Sequence, residues 1–286
     1  MKKQIKNKSG NQKPKTIINR FDSVAAFWAN IKDKAAQPAF AGYEASQKVG
    51  TDRTEFTGTK SFEAATELLL NGDRINADEV LRRVVAIKRQ VGKQTKRQRV
   101  GTGVVGFAPN VPNYLAGVPR AMITATATNK KDKIINLVYN VAAPWSVETK
   151  ALQKAVINLA GAIVALEAGG ARVNVYVGWS CRSCSGGHKC GAFVRVKNAS
   201  QPLDTLKMIY PLGSPSMIRR HFFRWLEVTE LPSEFRTGYG QCLSNAECGQ
   251  LANSAGVKCD RAIDYEVASE NDYQKLARMI DTGVII

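Results

Sequence analysis

The sequence predicts an open α/β sheet preceded by an α-rich N-terminal extension. Three observations carry that expectation. Two apolar, β-branched runs, residues 134–142 (IINLVYNVA) and 171–179 (ARVNVYVGW), bracket a stretch with Leu152, Val156, Leu159, Ile163 and Leu166 at helical spacing. A strand, a long helix and a second strand imply a parallel pair joined by a right-handed crossover. Ahead of residue 131 the periodicity is helical instead. With 286 residues, 44% of them apolar, the chain is large enough to pack one large domain or two small ones.

Residues 1–19 (MKKQIKNKSGNQKPKTIIN) are polar, basic and poor in hydrophobics, so residues 1–20 are expected to form a disordered arm. Residues 21–31 read as a short helix with Val24, Phe27 and Trp28 on one side. Residues 50–60, rich in Gly and Thr, read as loop. Ser61 is placed to cap a helix through Phe62, Ala65, Leu68 and Leu69 that stops at Asn71-Gly72.

Asn76 and Glu79 have the spacing of a capping box. The helix they open has Val80, Val84, Ile87 and Val91 on one face, with Leu81 and Val85 beside them. Arg82, Arg83, Lys88, Arg89, Lys93, Lys96, Arg97 and Arg99 occupy the remaining face and the exit. Gly101, Gly103 and Gly106 then match Gly-x-Gly-x-x-Gly. That fingerprint binds dinucleotides only between a strand and a helix. Here a basic helix precedes it and residues 107–112 (FAPNVP) cannot begin a regular helix, so the motif reads as loop or hinge.

In the second half, Ser146 caps the long helix, which ends at Gly169-Gly170. The strand over 171–179 leads into a cysteine-rich loop. Residues 191–198 (GAFVRVKN) fold back antiparallel. Helices follow over 203–210 and 215–228, then a weak strand over 262–267 and a helix over 271–280. The expected division is a disordered basic arm (1–20), a helical region carrying the basic helix (21–130), and the α/β domain with its Cys-rich hairpin (131–286).

The net charge is +17, and its distribution is uneven. Residues 1–20 hold seven Lys/Arg and residues 81–100 hold eight, with no acid in either block. A merely solvated surface mixes signs. Two acid-free blocks suit phosphates or another polyanion. The basic segments hold few aromatics, so backbone contact is expected over base readout. No run approaches the ~18 apolar residues of a membrane span, and no hydrophobic signal core follows the basic N-terminus. The expectation is an intracellular chain with no membrane partner.

Residues 181–190 (CRSCSGGHKC) hold three of the six cysteines and one of the two histidines. Cys181 and Cys184 form a Cys-x2-Cys pair, and His188 and Cys190 follow a Gly-Gly turn. Zinc takes four thiolate or imidazole ligands in a tetrahedron, and a two-residue gap presents two of them from one turn. A structural zinc on Cys181, Cys184, His188 and Cys190 is therefore expected. Since His188 and Cys190 are closely spaced, Cys242, Cys248 or Cys259 stands in reserve as a fourth ligand. Free cysteines or a disulfide are the alternatives, the latter disfavoured in a cytosolic chain.

Strand, long helix, strand and then a hairpin to an edge strand resembles the von Willebrand factor A-type domain, which implies a Rossmann-like sheet. That family holds a divalent cation through Asp-x-Ser-x-Ser after its first strand. The aligned positions here are Asn140, Ala142 and Pro144, which lack a carboxylate and both hydroxyls. The resemblance implies the fold without the metal site. Residues 21–28 (FDSVAAFW), 57–72 (TGTKSFEAATELLLNG), 111–122 (VPNYLAGVPRAM), 214–228 (SPSMIRRHFFRWLEV) and 238–240 (GYG) resemble a family of proteins from tailed-phage genomes that has no established activity. The cysteine loop is not one of that family's features. The 215–228 helix also reads directly: its aromatics suit the core, and Arg219, Arg220 and Arg224 could form a basic ridge.

Three functions follow as expectations. The first is a non-enzymatic, phage-encoded accessory protein that binds nucleic acid through the arm and the basic helix. The second is a virion-associated or scaffold protein that acts through phage structural proteins. The third, a metal-dependent enzyme, has least support, since His221 has no Ser, Cys or Asp neighbour that makes a triad. These readings place the chain in the host cytoplasm or the virion.

Overall fold

The computed structural model describes residues 14–38, 40, 44–48, 54–74, 77–94, 100–125, 133–142, 147, 149–184, 187–235 and 239–282. The described residues enter on strand β1 (Thr16–Phe21), which corrects the disordered arm expected over 1–20: residues 16–20 are strand, and residues 1–13 lie outside the described residues. Ser23 accepts from the Ala26 amide and starts α1 (Val24–Ile31), which buries Phe27 and Ile31. Single turns follow at α2 (Ala45–Lys48) and α3 (Thr54–Thr57), the latter inside the expected loop. Ser61 caps α4 (Phe62–Asn71) through the Ala64 amide, as its position foretold. The amphipathic pattern then becomes α5 (Ala77–Gln94). The capping-box residue Asn76 lies outside the described residues.

A small three-stranded sheet comes next, with β2 (Val100–Gly103), β3 (Ala108–Pro109) and β4 (Met122–Ala125) in the order β2-β4-β3. Between β3 and β4 lies α6 (Val111–Leu115), where helix formation was not expected. Asn110 caps it through the Asn113 amide, and Pro112 sits in the first turn, where its missing N–H costs nothing.

The predicted core unit follows: β5 (Lys133–Asn140), α7 (Thr149–Ala168), β6 (Ala171–Arg182) and β7 (Lys189–Lys197). Two more helices pack on it: α8 (Thr205–Gly213), and a π-helical stretch over Met217–Phe222 that continues as α9 (Phe223–Val228). The chain closes with β8 (Gln241–Cys242), α10 (Asn245–Ser254), β9 (Arg261–Asp264), α11 (Tyr265–Glu270) and α12 (Tyr273–Thr282).

The main sheet runs β1-β7-β6-β5-β9, with β8 added to the end of β6. β5 is parallel to both β6 and β9, and β1 is parallel to β7. The β6–β7 hairpin is antiparallel, as expected. The result is a mixed α/β fold around a mostly parallel sheet. Alternate residues feed two cores. Leu137, Val175, Val177 and Trp179 join the large one, whereas Val138, Tyr176 and Phe193 face a smaller one closed by Cys248, Leu251 and Ala252 of α10.

Helix α7 is long and apolar enough, by length and composition, to cross a membrane. Here it lies between β6 and the helices α5, α8, α11 and α12, which accounts for its apolar residues on more than one side. Gly161 makes this possible: a Cβ there would come within 2.7 Å of Ile87 Cδ1 and 2.8 Å of Tyr273 Cβ.

Candidate functional site

The basic helix is built as its periodicity implies. Val80, Val84, Ile87 and Val91 are buried, and α5 packs on α7 and α8. Arg82, Arg83, Lys88 and Arg89 all face solvent. Arg83 is partly offset by Glu79, 2.5 Å away one turn earlier, and Arg82 Nε donates to the Asp78 carbonyl at 3.1 Å. Asp78 and Glu79 lie in the first turn, the sense the helix dipole favours. Lys93 lies in the last turn, while Lys96, Arg97 and Arg99 lie outside the described residues, as do residues 1–13. The face opposite the anchored one therefore presents four cations, Arg82, Arg83, Lys88 and Arg89, to solvent.

The cysteine hairpin is assembled differently from the expected four-ligand site. Cys181 and Cys190 are cross-strand partners at the β6–β7 end, both fully buried, with sulfurs 3.2 Å apart. Contact with Cys190 and burial push the Cys181 thiol well above its ordinary range. Cys242 on β8 is the other cross-strand neighbour of Cys181. Cys184 is exposed, and the turn residues 185–186 lie outside the described residues.

His188 is buried, and its Nδ1 accepts the Lys15 amide at 2.9 Å. That bond puts the ring proton on Nε2, which faces Glu234 at 3.6 Å. The Lys189 amide donates to the Lys15 carbonyl, so His188 and Lys189 together latch the start of β1 onto the hairpin. Of the four expected ligands the fold brings Cys181 and Cys190 together and leaves Cys184 and His188 apart from them. Among the described residues no group of three or more His, Cys, Asp or Glu side chains is arranged to hold a metal ion.

The strand end aligned with the cation-binding motif is occupied by hydrogen bonds. Buried Asn140 donates to the Leu243 carbonyl and Asn245 Oδ1 and accepts from the Ala142 amide. Asn245 in turn donates to Asp264 at 2.7 Å, whose other oxygen caps α11 through the Val267 amide. Asp264 is a carboxylate the alignment did not supply, since it enters from β9 rather than from the loop after β5. Pro144 lies outside the described residues.

The expected basic ridge over 215–228 is corrected outright. Arg219, Arg220 and Arg224 are all buried, the first two on the π-helical stretch, which packs on α2 and α4, and the third on α9, which packs on α1 and α2. Arg220 donates to the Ser46 carbonyl, the Thr59 carbonyl and Thr59 Oγ1. Arg219 reaches the Phe56 carbonyl and lies over its ring, 4.1 Å from the centroid. Arg224 donates to the Lys34 carbonyl and faces Glu227 at 3.6 Å. Glu227, fully buried, accepts from the Ser46 amide and hydroxyl and from Tyr239.

His221 completes this network. Thr66 Oγ1 donates to the Phe62 carbonyl, so it accepts from His221 Nε2–H, and Tyr210 O–H donates to Nδ1 at 2.8 Å. Burial, then Arg220, push its pKa down to about 3. The ring is a neutral structural strut. The aromatics pack as expected, with Phe222 stacked on Trp179 and Phe223 stacked 3.8 Å from Tyr239.

A family model described as a domain of unknown function, DUF7192, matches residues 3–278. No curated protein and no solved structure matches the chain.

Proposed function

We propose that this chain, which belongs to the DUF7192 family, is a non-enzymatic, phage-encoded protein that binds nucleic acid electrostatically. One observation carries the reading: α5 is anchored by four buried aliphatics, so Arg82, Lys88 and Arg89 are held outward where a phosphate backbone can meet them. The acid-free residues 1–20 add a second cationic segment in the sequence. The phage assignment rests on the segment resemblance. A von Willebrand factor A-like fold is supported by the order β7-β6-β5-β9, with its crossover helix and antiparallel hairpin.

Fluorescence anisotropy with a labelled oligonucleotide tests the binding. Log affinity should fall with log salt by ~0.7–0.9 per phosphate contact. Reversing Arg82, Lys88 and Arg89 to Glu should lower the affinity and flatten the slope. Deleting residues 1–13 should flatten it too; the cut must stop there, because Thr16–Phe21 is a strand of the sheet. An unaltered wild-type anisotropy at low salt would sink this reading and leave a protein scaffold with an acidic partner.

Zinc at the hairpin is proposed on its thiols alone. The contact between Cys181 and Cys190, with Cys242 opposite, supports it, and a metal would draw Cys184 or Cys242 onto that pair. Protein purified without chelator should carry about one zinc per chain, and Cys190→Ser should remove it and lower the melting temperature. Metal-free wild-type protein of unchanged stability would reduce the pair to two buried thiols.

A further inference from the structure

Residues 100–125 form a finger with no core. Among the described residues its strands pair only with one another, and none of the described side chains in it is buried. Yet its composition is that of an interior: Arg120 is the single charge across 26 residues of sequence. Val104, Val105, Phe107, Tyr114 and Leu115 are each at least 69% exposed, and Val111 is 56% exposed. Gly106 shapes the finger, since a Cβ there would lie 2.2 Å from the Ile123 carbonyl oxygen. A small sheet gains stability in water from a hydrophobic face that packs against something. The chain supplies no cover for this one among the described residues.

We propose that the finger is a self-association surface, covered by the finger of a second copy of this chain. Three considerations select that occupant. The first is area: covering those side chains would remove on the order of 500–800 Å² per copy, close to the ~800 Å² per partner of a stable interface and at the upper end of the apolar patches of ordinary monomers. The second is charge. The chain is +17 as a whole, so two copies repel, and the nearly uncharged finger is the place where they can meet at least cost. The third is backbone chemistry. β2 and β3 each pair with β4 on one side, and their outer edges meet no other strand among the described residues. A lipid interior cannot satisfy those N–H and C=O groups, whereas the strand edge of another finger can. The same patch on two copies related by a two-fold axis is self-complementary and closes as a dimer.

Sedimentation velocity on nuclease-treated full-length chain tests this, from about 1 to 100 μM at ~0.5 M salt, where screening removes most of the charge repulsion. A concentration-dependent dimer is expected. Replacing Phe107, Tyr114 and Leu115 together by Ser should weaken it at least ~tenfold without altering the main melting transition. Hydrogen exchange gives a readout independent of the variant: amides of 100–125 should slow at the high concentration and the rest of the chain should not. A wild-type monomer across the range overturns the proposal, as does a dimer that survives the triple substitution. Flotation with anionic vesicles that the substitution abolishes, with no dimer, would make a membrane surface the occupant and would equally overturn it.

Discussion

His221 shows how far a side chain's role depends on its surroundings. Its neutral ring is wedged between Tyr210 and Thr66, with a pKa of about 3 against about 6.5 when unfolded. Between those values the unfolded chain binds the extra proton. Stability is therefore full above about pH 6.5 and falls as the pH drops toward 3, by up to a few kcal/mol. Melting followed from pH 7 to 4.5 should show that loss, and His221→Gln, less stable at pH 7, should show a shallower one. Parallel curves would remove His221 as the titrating group. Glu227 is the companion case. Glu227→Leu leaves Arg224, Ser46 and Tyr239 facing an apolar group in the interior, and a loss of about 3–5 kcal/mol in urea unfolding is expected. A loss within ~0.5 kcal/mol, typical of surface substitutions, would show the network to be dispensable.

At the scale of elements, α5 separates packing from charge. Ile87→Ala should destabilise by about 2–5 kcal/mol, because it empties a contact on Gly161 of α7. The Glu reversals at Arg82, Lys88 and Arg89 should change melting little, since exposed pairs contribute ~0–1 kcal/mol each. If the reversals unfold the chain as readily as Ile87→Ala, the basic face is structural and its proposed ligand is lost. The finger makes the converse point. Gly106→Val should disrupt β3 and β4 by the clash at Ile123 while the main sheet melts as before. Co-melting of the two sheets in that variant would show them to be one cooperative unit.

At the scale of the molecule, the sheet is closed by segments far apart in sequence. β1 pairs along β7 from Thr16↔Lys189 to Phe21↔Val194, and Trp225 reaches back to Asn19. Removing residues 1–21 should therefore cost stability throughout, whereas removing 1–13 should not. Circular dichroism melting of the two truncations distinguishes them. Equal melting temperatures would show that the sheet tolerates the loss of its edge.

The sequence by itself determined the β5–α7–β6–β7 unit, the Ser61 cap and the amphipathic face of α5. Each is written in a period or a neighbouring residue, so local spacing reveals it. It also placed Cys181 and Cys190 together, because a hairpin with a short turn brings its own flanks into register. Tertiary structure alone decided the rest. TIINRF reads as the tail of a basic arm until β7, some 170 residues away, supplies its partners. Arg220 reads as a surface cation until Ser46 and Thr59, from another part of the chain, satisfy its guanidinium in the interior. His188 reads from spacing alone as a ligand, and the fold adds a partner for its Nδ1, the Lys15 amide. In each case the deciding group is a hydrogen-bond partner distant in sequence. Periodicity records which face of an element is apolar, and it carries no record of which remote polar group will meet a side chain once that face is buried.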